Sequence, residues 1–182
     1  MAPPPRIELV EYTPEWPVRF EAEAARIRRA VGAQVIGMEH IGSTSVPGLI
    51  AKPVIDILLV VADSAAEPTY VPALEGIGYV LRVREPDWHE HRMLKGPNKD
   101  VNLHVYSAGS EEIERYLLLR DRLRSNDADR ELYARVKSDL AGKEWKHLQN
   151  YADAKTEVIE AIIARAREAA SAGEGRRTQE AP

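Results

Sequence analysis

Val54-Ile55-Asp56-Ile57-Leu58-Leu59-Val60-Val61 is the stretch that decides the fold. It is the most apolar run of the chain and holds one charge, Asp56. A short run rich in β-branched residues reads as a strand buried on both faces, which places it in the middle of a sheet. Alternation puts Val54, Asp56, Leu58 and Val60 on one face. A lone carboxylate there is costly unless it is hydrogen-bonded, ion-paired or bound to a cation. Asp56 therefore reads either as a cap for a neighbouring loop amide or as part of a binding site.

Upstream, a β-type run over 35–41 ends in Gly42-Ser43-Thr44-Ser45, 11 residues before Asp56. A glycine and small hydroxylated side chains let backbone N–H groups approach an anion. A short helix over 45–50 would add the positive end of its dipole, which suits phosphate. The plainer reading of the same four residues is a tight turn. Lys52, just before the strand, adds a cation beside this site or is a solvated loop residue.

The remaining chain falls into order around these two features. Trp16, Phe20, Ala24, Ile27 and Val31 form one helical face, with Thr13 as N-cap and Gly32 as the stop. A short helix is expected over 67–74, then strands over 79–83, 89–94 and 101–106 separated by Pro86-Asp87 and Gly96-Pro97-Asn98. From Ser110 onward the pattern is helical: one helix after Ser110, one capped by Asn126 or Asp127, and one from about His147 to Ala169. The sum is an α+β fold, a mixed five-stranded sheet with packed helices and a C-terminal helical bundle. Residues 7–169 read as one domain, with disordered ends over 1–6 and 170–182.

Further residues interrupt apolar patterns. On the 101–106 strand, Asn102, His104 and Tyr106 form a polar row that needs solvent or a site. His89 and His91 precede it and read as satisfied or exposed histidines rather than ligands. No HExxH spacing is present, which argues against a zinc hydrolase. Arg120 and Lys155 sit within apolar helix stripes, where a cation either snorkels, pairs with a carboxylate or points at an anion.

Composition sets outer limits. The chain has 182 residues, 25 Lys+Arg against 29 Asp+Glu, and a net charge of −4, an argument against broad nucleic-acid or anionic-membrane binding. It has no cysteine, which removes disulfides and thiol catalysis. No run approaches the ~18 apolar residues of a membrane span, and no signal peptide is visible, so the expectation is a cytoplasmic protein.

The motif from His40 through Leu49, followed by Ala51-Lys52-Pro53 and Ile55-Asp56-Ile57, resembles the signature of the GrpB-like family, grouped with the nucleotidyltransferase superfamily. Asn102-Leu103-His104-Val105, Leu119-Arg120-Asp121 with Leu123-Arg124, Tyr133 with Lys137, and residues 151–155 extend the likeness. The resemblance implies a nucleotidyltransferase-type sheet in which Gly42, Ser43, Thr44 and Ser45 hold nucleotide phosphate and Asp56 is the first metal carboxylate. It also implies departures: Leu58 stands where a second carboxylate is usual, and His104 at the third acidic position. One Asp and one His would hold one Mg²⁺ or Mn²⁺ at most. Lys52, Arg120 and Lys155 would neutralise triphosphate charge, while Glu39 and His40 are the nearby candidates for a general base. The implied activity is metal-assisted nucleotidyl transfer from a nucleoside triphosphate to a small acceptor. The alternative is a non-catalytic module binding a nucleotide or a coenzyme A-like phosphate, since members also occur joined to a dephospho-coenzyme A kinase. The kinase P-loop pattern itself is absent from this chain.

Overall fold

The apolar run forms β2 (Ile55–Val61), flanked on both sides by other strands, as its two-sided burial demands. A computed structural model of the chain describes residues 7–143 and 148–179. The elements that build the sheet unit are α1 (Glu15–Val31), β1 (Gly37–Ile41), β2, α2 (Val71–Glu75), β3 (Val80–Glu85), β4 (His91–Lys95) and β5 (Val101–Ser107). The strand order is β1-β2-β5-β4-β3. Among the described residues only the β2–β5 pair is parallel, so the sheet is mixed, as the sequence predicts.

One face of this sheet is the core. Ile55, Ile57, Leu59 and Val61 on β2 and Val101, Leu103 and Val105 on β5 pack with Trp16, Phe20, Ala24, Ile27 and Val31 of α1. The helical stripe read from sequence is therefore the stripe that is buried. Each of the large side chains among them contributes about 1.5–3 kcal/mol through area removed from water. The helix starts one residue later than expected: Pro14 holds the N-cap position, and the Thr13 hydroxyl accepts from the Glu15 N–H at 3.3 Å. Proline fits here because it has no N–H to leave unsatisfied.

The opposite face carries Asp56, Leu58 and Val60 of β2 and Asn102, His104 and Tyr106 of β5. Register adds Glu39 and Ile41 from β1, opposite Leu58 and Asp56. It also adds Met93 and Lys95 from β4, opposite His104 and Asn102.

The chain divides into two compact units, residues 10–116 and residues from Leu117 onward, with residues 7–9 assigned to the second. The sequence reading takes residues 7–169 together as one domain. Strand ladders tie residues 10–116 into one body, whereas the later helices satisfy their backbones internally. The second unit takes up within α3 (Glu111–Ser125), at Leu117, and contains α4 (Asp127–Ala141), α5 (Leu148–Asp153) and α6 (Thr156–Gln179). Asn126 caps α4 as expected, its Oδ1 accepting from the Asp129 N–H at 2.9 Å. Asp129 is buried and ties α4 to α6, accepting from Arg165 at 2.6 and 2.9 Å and from Arg122 at 2.6 Å.

Two expectations for the C-terminal region change. The single helix from about His147 is broken at Ala154-Lys155 into α5 and α6, and His147 itself lies outside the described residues. The stretch expected to be an unstructured tail is helical as far as Gln179. A helix already nucleated extends at one backbone bond per residue, so a polar sequence with several good helix formers can follow it. Residues 1–6 and 180–182, the rest of the predicted ends, also lie outside the described residues. Among the described residues, no helix is long and apolar enough to cross a membrane.

Candidate functional site

β1 and β2 are antiparallel with Ile41 opposite Asp56, so the chain leaving β1 turns directly over that carboxylate. The turn is made at Gly42, with φ +71° and ψ −176°. This backbone conformation is essentially restricted to glycine. A β-carbon there would stand 2.6 Å from Asp56 Oδ2 and 3.1 Å from its Cβ. The loop thus approaches the acid as closely as a chain can, and only because residue 42 has no side chain.

The rest of the loop differs from the short helix expected over 45–50. Ser43–Ser45 is a single 3₁₀ turn, and no helix follows over 45–50. The Ser45 and Val46 N–H groups close the turn onto Gly42 O and Ser43 O. Thr44 and Ser45 are buried, with the Thr44 hydroxyl 3.0 Å from His40 Nε2 and the Ser45 hydroxyl donating to Gly42 O at 2.5 Å. The hydroxyls of Thr44 and Ser45 thus brace the turn. His40 is also removed as a base, because it stacks on Phe20 on the core side of the sheet, with ring centroids 4.8 Å apart.

β5 supplies the other half of the site. Its Asn102 is the register partner of Asp56 and donates from Nδ2 to Asp56 Oδ1 at 2.8 Å. His104 Nε2 lies 3.4 Å from the same oxygen. Asn102 Oδ1 is buried and has no hydrogen-bond partner among the described residues. Asp56 and His104, the two predicted ligands, are therefore brought together.

The polar chain continues across the sheet. His104 Nδ1 lies 3.1 Å from His91 Nε2, and His91 Nδ1 lies 2.6 Å from Glu85 Oε2. His91 is buried, with its ring between His104 and Tyr106. Burial lowers its pKa, only partly opposed by the Glu85 hydrogen bond, and His104 lowers it further. Tyr116 from α3 tilts over His104. Its pKa is pushed up to about 12 by burial, so it stays a neutral hydroxyl at physiological pH.

Lys52 lies close enough to feel both Asp56 and Lys95. Burial lowers its pKa; Asp56 opposes this and Lys95 reinforces it. Arg120 and Lys155 belong to the helical unit. Arg120 Nε donates to Asp121 Oδ1 at 2.8 Å, and the Lys155 ammonium sits 4.6 Å above the centre of the Tyr151 ring.

The family model described as GrpB protein matches residues 6–165. This chain belongs to the GrpB family. It is 59% identical over 160 residues to a UPF0157 protein of Halalkalibacterium halodurans, covering 88% of this chain and 82% of the relative. The crystal structure of the conserved protein GrpB from Enterococcus faecalis superposes with a TM-score of 0.78 at 34% identity, covering 87% of this chain and 96% of that one. The two share a fold on this evidence. Dephospho-CoA kinase of Mycobacterium tuberculosis is 32% identical over 173 residues, covering 81% of this chain but 42% of the kinase. The GrpB-type chain therefore corresponds to less than half of that protein.

Does this GrpB-family site suit a divalent cation? Among the described residues, no group of three His, Asp or Glu side chains is gathered for a metal. The fit is to one cation held by Asp56 Oδ1 and His104 Nε2. Their 3.4 Å separation is close to the ~3 Å edge of an octahedron with bonds of about 2.1 Å. It does not fit a two-cation centre, since Leu58 is fully buried and offers no oxygen. Sequence reading missed Lys95 and the Glu85–His91 pair. The signal was present in part: alternation puts His91, Met93 and Lys95 on one face of β4, but only the strand order shows that this face continues the Asp56 face.

Proposed function

We propose that the protein binds a nucleoside triphosphate through one divalent cation at Asp56 and transfers its nucleotidyl group to a small acceptor. The observation that carries this reading is the meeting of Gly42, Asn102 and His104 around a single half-buried carboxylate. The proposed site is built from the sheet unit alone. Asp56 Oδ1 and His104 Nε2 would hold Mg²⁺ or Mn²⁺, the imidazole favouring the softer Mn²⁺. When bound, the cation supplies neutralisation of phosphate charge, the dominant need in phosphoryl transfer. The backbone from Gly42 to Thr44 lies beside the phosphates, and Lys52 offsets their charge. Asn102 orients the Asp56 carboxylate. Glu39 shares the face of Asp56 and is the candidate to accept the acceptor's proton, His40 being turned to the core.

A second reading is binding without chemistry. The buried Leu58 favours it, because transfer through two cations has no ligands here. So does the likeness to part of dephospho-CoA kinase, whose name points to a coenzyme A-type phosphate. Titration with nucleoside triphosphates, with and without Mg²⁺ or Mn²⁺, separates the two. Transfer gives pyrophosphate release that disappears in Asp56→Ala. Binding alone gives saturation without release, and no binding under any condition sinks both.

A further inference from the structure

Gly96-Pro97-Asn98-Lys99 joins β4 to β5, and the turn it makes shapes a cavity. The Lys99 N–H donates to Gly96 O at 3.0 Å, and Lys99 takes φ +61°, a left-handed backbone uncommon for any residue but glycine. Gly78, at φ +91°, leads into β3 directly against this turn, where a β-carbon would stand 3.1 Å from Pro97 Cβ. Beside this packed junction lies a cavity of about 370 Å³, at the small end of the range for ligand pockets.

The charge of its lining has one sign. Arg82, Lys95 and Lys99 line it, and among the described residues no acid does. Nor has any of the three an ion-pair partner among the described residues. Asp100, the acid next to Lys99 in the chain, is taken by Arg19 at 2.5 Å. In a chain of net charge −4, three cations around one cavity repel one another and draw an anion. The wall between them is apolar, formed by Met93 and by Val80, which is 45% exposed. An inorganic anion leaves that wall uncovered, whereas an organic phosphate covers both parts. Met93 and Lys95 are the register partners of His104 and Asn102, the two residues that meet Asp56. The cavity therefore begins two strand spacings, about 10 Å, from Asp56. The Gly42 turn lies on the other side of that carboxylate, at the β1 edge.

We propose that this cavity binds the phosphate of a small phosphorylated hydroxyl compound, separate from the nucleotide, whose carbon skeleton lies on Val80 and Met93. Arg82, Lys95 and Lys99 hold the phosphate. That the compound is the acceptor rests on the proposed function; that the cavity takes an organic phosphate does not. The span of about 10 Å to Asp56 calls for a molecule of at least sugar-phosphate length, its reacting hydroxyl at the end away from the phosphate. In the transfer, that hydroxyl oxygen bonds to the α-phosphorus. Pyrophosphate leaves with the electron pair of the broken P–O bond, and the hydroxyl proton passes to Glu39.

The experiment uses the full chain labelled with ¹⁵N and follows its backbone amides by NMR. Ribose 5-phosphate should give saturable shifts at residues 78–82 and 93–99. Inorganic phosphate should bind the same amides several-fold more weakly, and ribose should not saturate. Binding of ribose 5-phosphate no tighter than that of inorganic phosphate, or shifts elsewhere only, overturns the site. Arg82 and Lys99 are exposed, so the Arg82→Gln, Lys99→Gln double variant keeps the fold, checked by the same spectrum. It should bind ribose 5-phosphate about tenfold more weakly. Arg28→Gln, which removes one exposed charge from α1 across the sheet, should change nothing. Equal weakening in both variants means general attraction to positive charge and overturns the site. A nucleoside triphosphate with a methylene α,β bridge is then added with Mg²⁺ to the ribose 5-phosphate complex. Retained cavity shifts, with new ones at residues 42–44 and 56, support the acceptor assignment. Their loss means that the cavity takes the nucleotide's own phosphates, which overturns the separate compound. If the nucleotide does not bind at all, the proposed function and the acceptor assignment fall together, and the ribose 5-phosphate titration alone decides the cavity.

Discussion

Gly42 and Asp56 are in direct contact: the space where residue 42 would carry a side chain is filled by the Asp56 carboxylate. The left-handed backbone at Gly42 and the acid at position 56 are thus one structural feature. Gly42→Ala meets both a backbone conformation closed to alanine and an oxygen at 2.6 Å. The expected loss is about 2–3 kcal/mol of unfolding free energy, from the strain alone about 1–3, read by urea denaturation. Because the loop can relieve the clash only by lifting off the acid, Mn²⁺ affinity falls as well. Unchanged stability would mean that the turn does not hold this conformation.

Asn102 lies opposite Asp56, with its Nδ2 engaged and its Oδ1 buried without a partner among the described residues. Asn102→Asp keeps the shape and replaces a donor by a second negative charge. Without metal, two neighbouring carboxylates repel, and the melting temperature should fall by several degrees. With Mn²⁺ the same pair becomes an added ligand. Affinity should rise on the order of tenfold, and the melting temperature should recover. Calorimetry with and without Mn²⁺ checks both signs, and a variant that gains nothing from Mn²⁺ counts against a cation at Asp56.

What the sequence disclosed, and what it hid, follows the range of the interactions involved. β2 and α1 were legible because a run of β-branched residues and a 3.6-residue stripe are local signals. Asp56 stood out because a charge in such a strand needs a partner. Its partners were harder. Asn102 and His104 follow from the strand alternation, but their meeting with Asp56 depends on β2 and β5 being parallel neighbours. His91 read as a bystander because nothing local shows that β4 lies beyond β5, with Glu85 beyond that. The inner contacts of the loop were hidden for a different reason. Thr44 and Ser45 have the composition of an anion cradle, yet their hydroxyls turn inward to brace the 3₁₀ turn, a choice fixed by His40 and Gly42 O. The break at Lys155 has no signal in the apolar spacing, which runs through it unchanged.

Lys52 separates the cation from the nucleotide. It is half-buried, with its pKa lowered mainly by burial while Asp56 draws its charge toward the site. Lys52→Ala removes positive charge beside both guests, with opposite effects. A neighbouring like charge disfavours Mn²⁺, so metal affinity should rise slightly. A triphosphate loses an attraction worth roughly 1 kcal/mol at a partly exposed site, so nucleotide affinity in saturating Mn²⁺ should fall about fivefold. Isothermal titration measures the two constants separately. Equal losses in both would point to a structural role for Lys52 instead.

Acid sensitivity should arise in the helical unit, through Asp129. Burial raises the pKa of its carboxyl, but hydrogen bonds from Arg165 and Arg122 outweigh this, and the net shift is downward. A carboxyl depressed in the folded state stabilises above its unfolded pKa, about 3.9. That contribution is lost as pH falls from there through the lower folded value. Asp129→Asn removes the charge that two guanidinium groups face, of which Arg165 is more than a third exposed. A fully buried pair broken this way costs about 3–5 kcal/mol, and partial exposure of the arginines reduces this to about 2. The native protein should therefore lose stability as pH falls from about 4 through the lower folded value, while Asp129→Asn starts lower and shows a flatter profile over that window. Glu67, held below its usual pKa chiefly by the Arg84 hydrogen bond and further by Arg92, keeps some slope in both proteins. Urea midpoints measured across the window decide it: parallel curves for the two proteins would show that Asp129 is not what links this fold to acid.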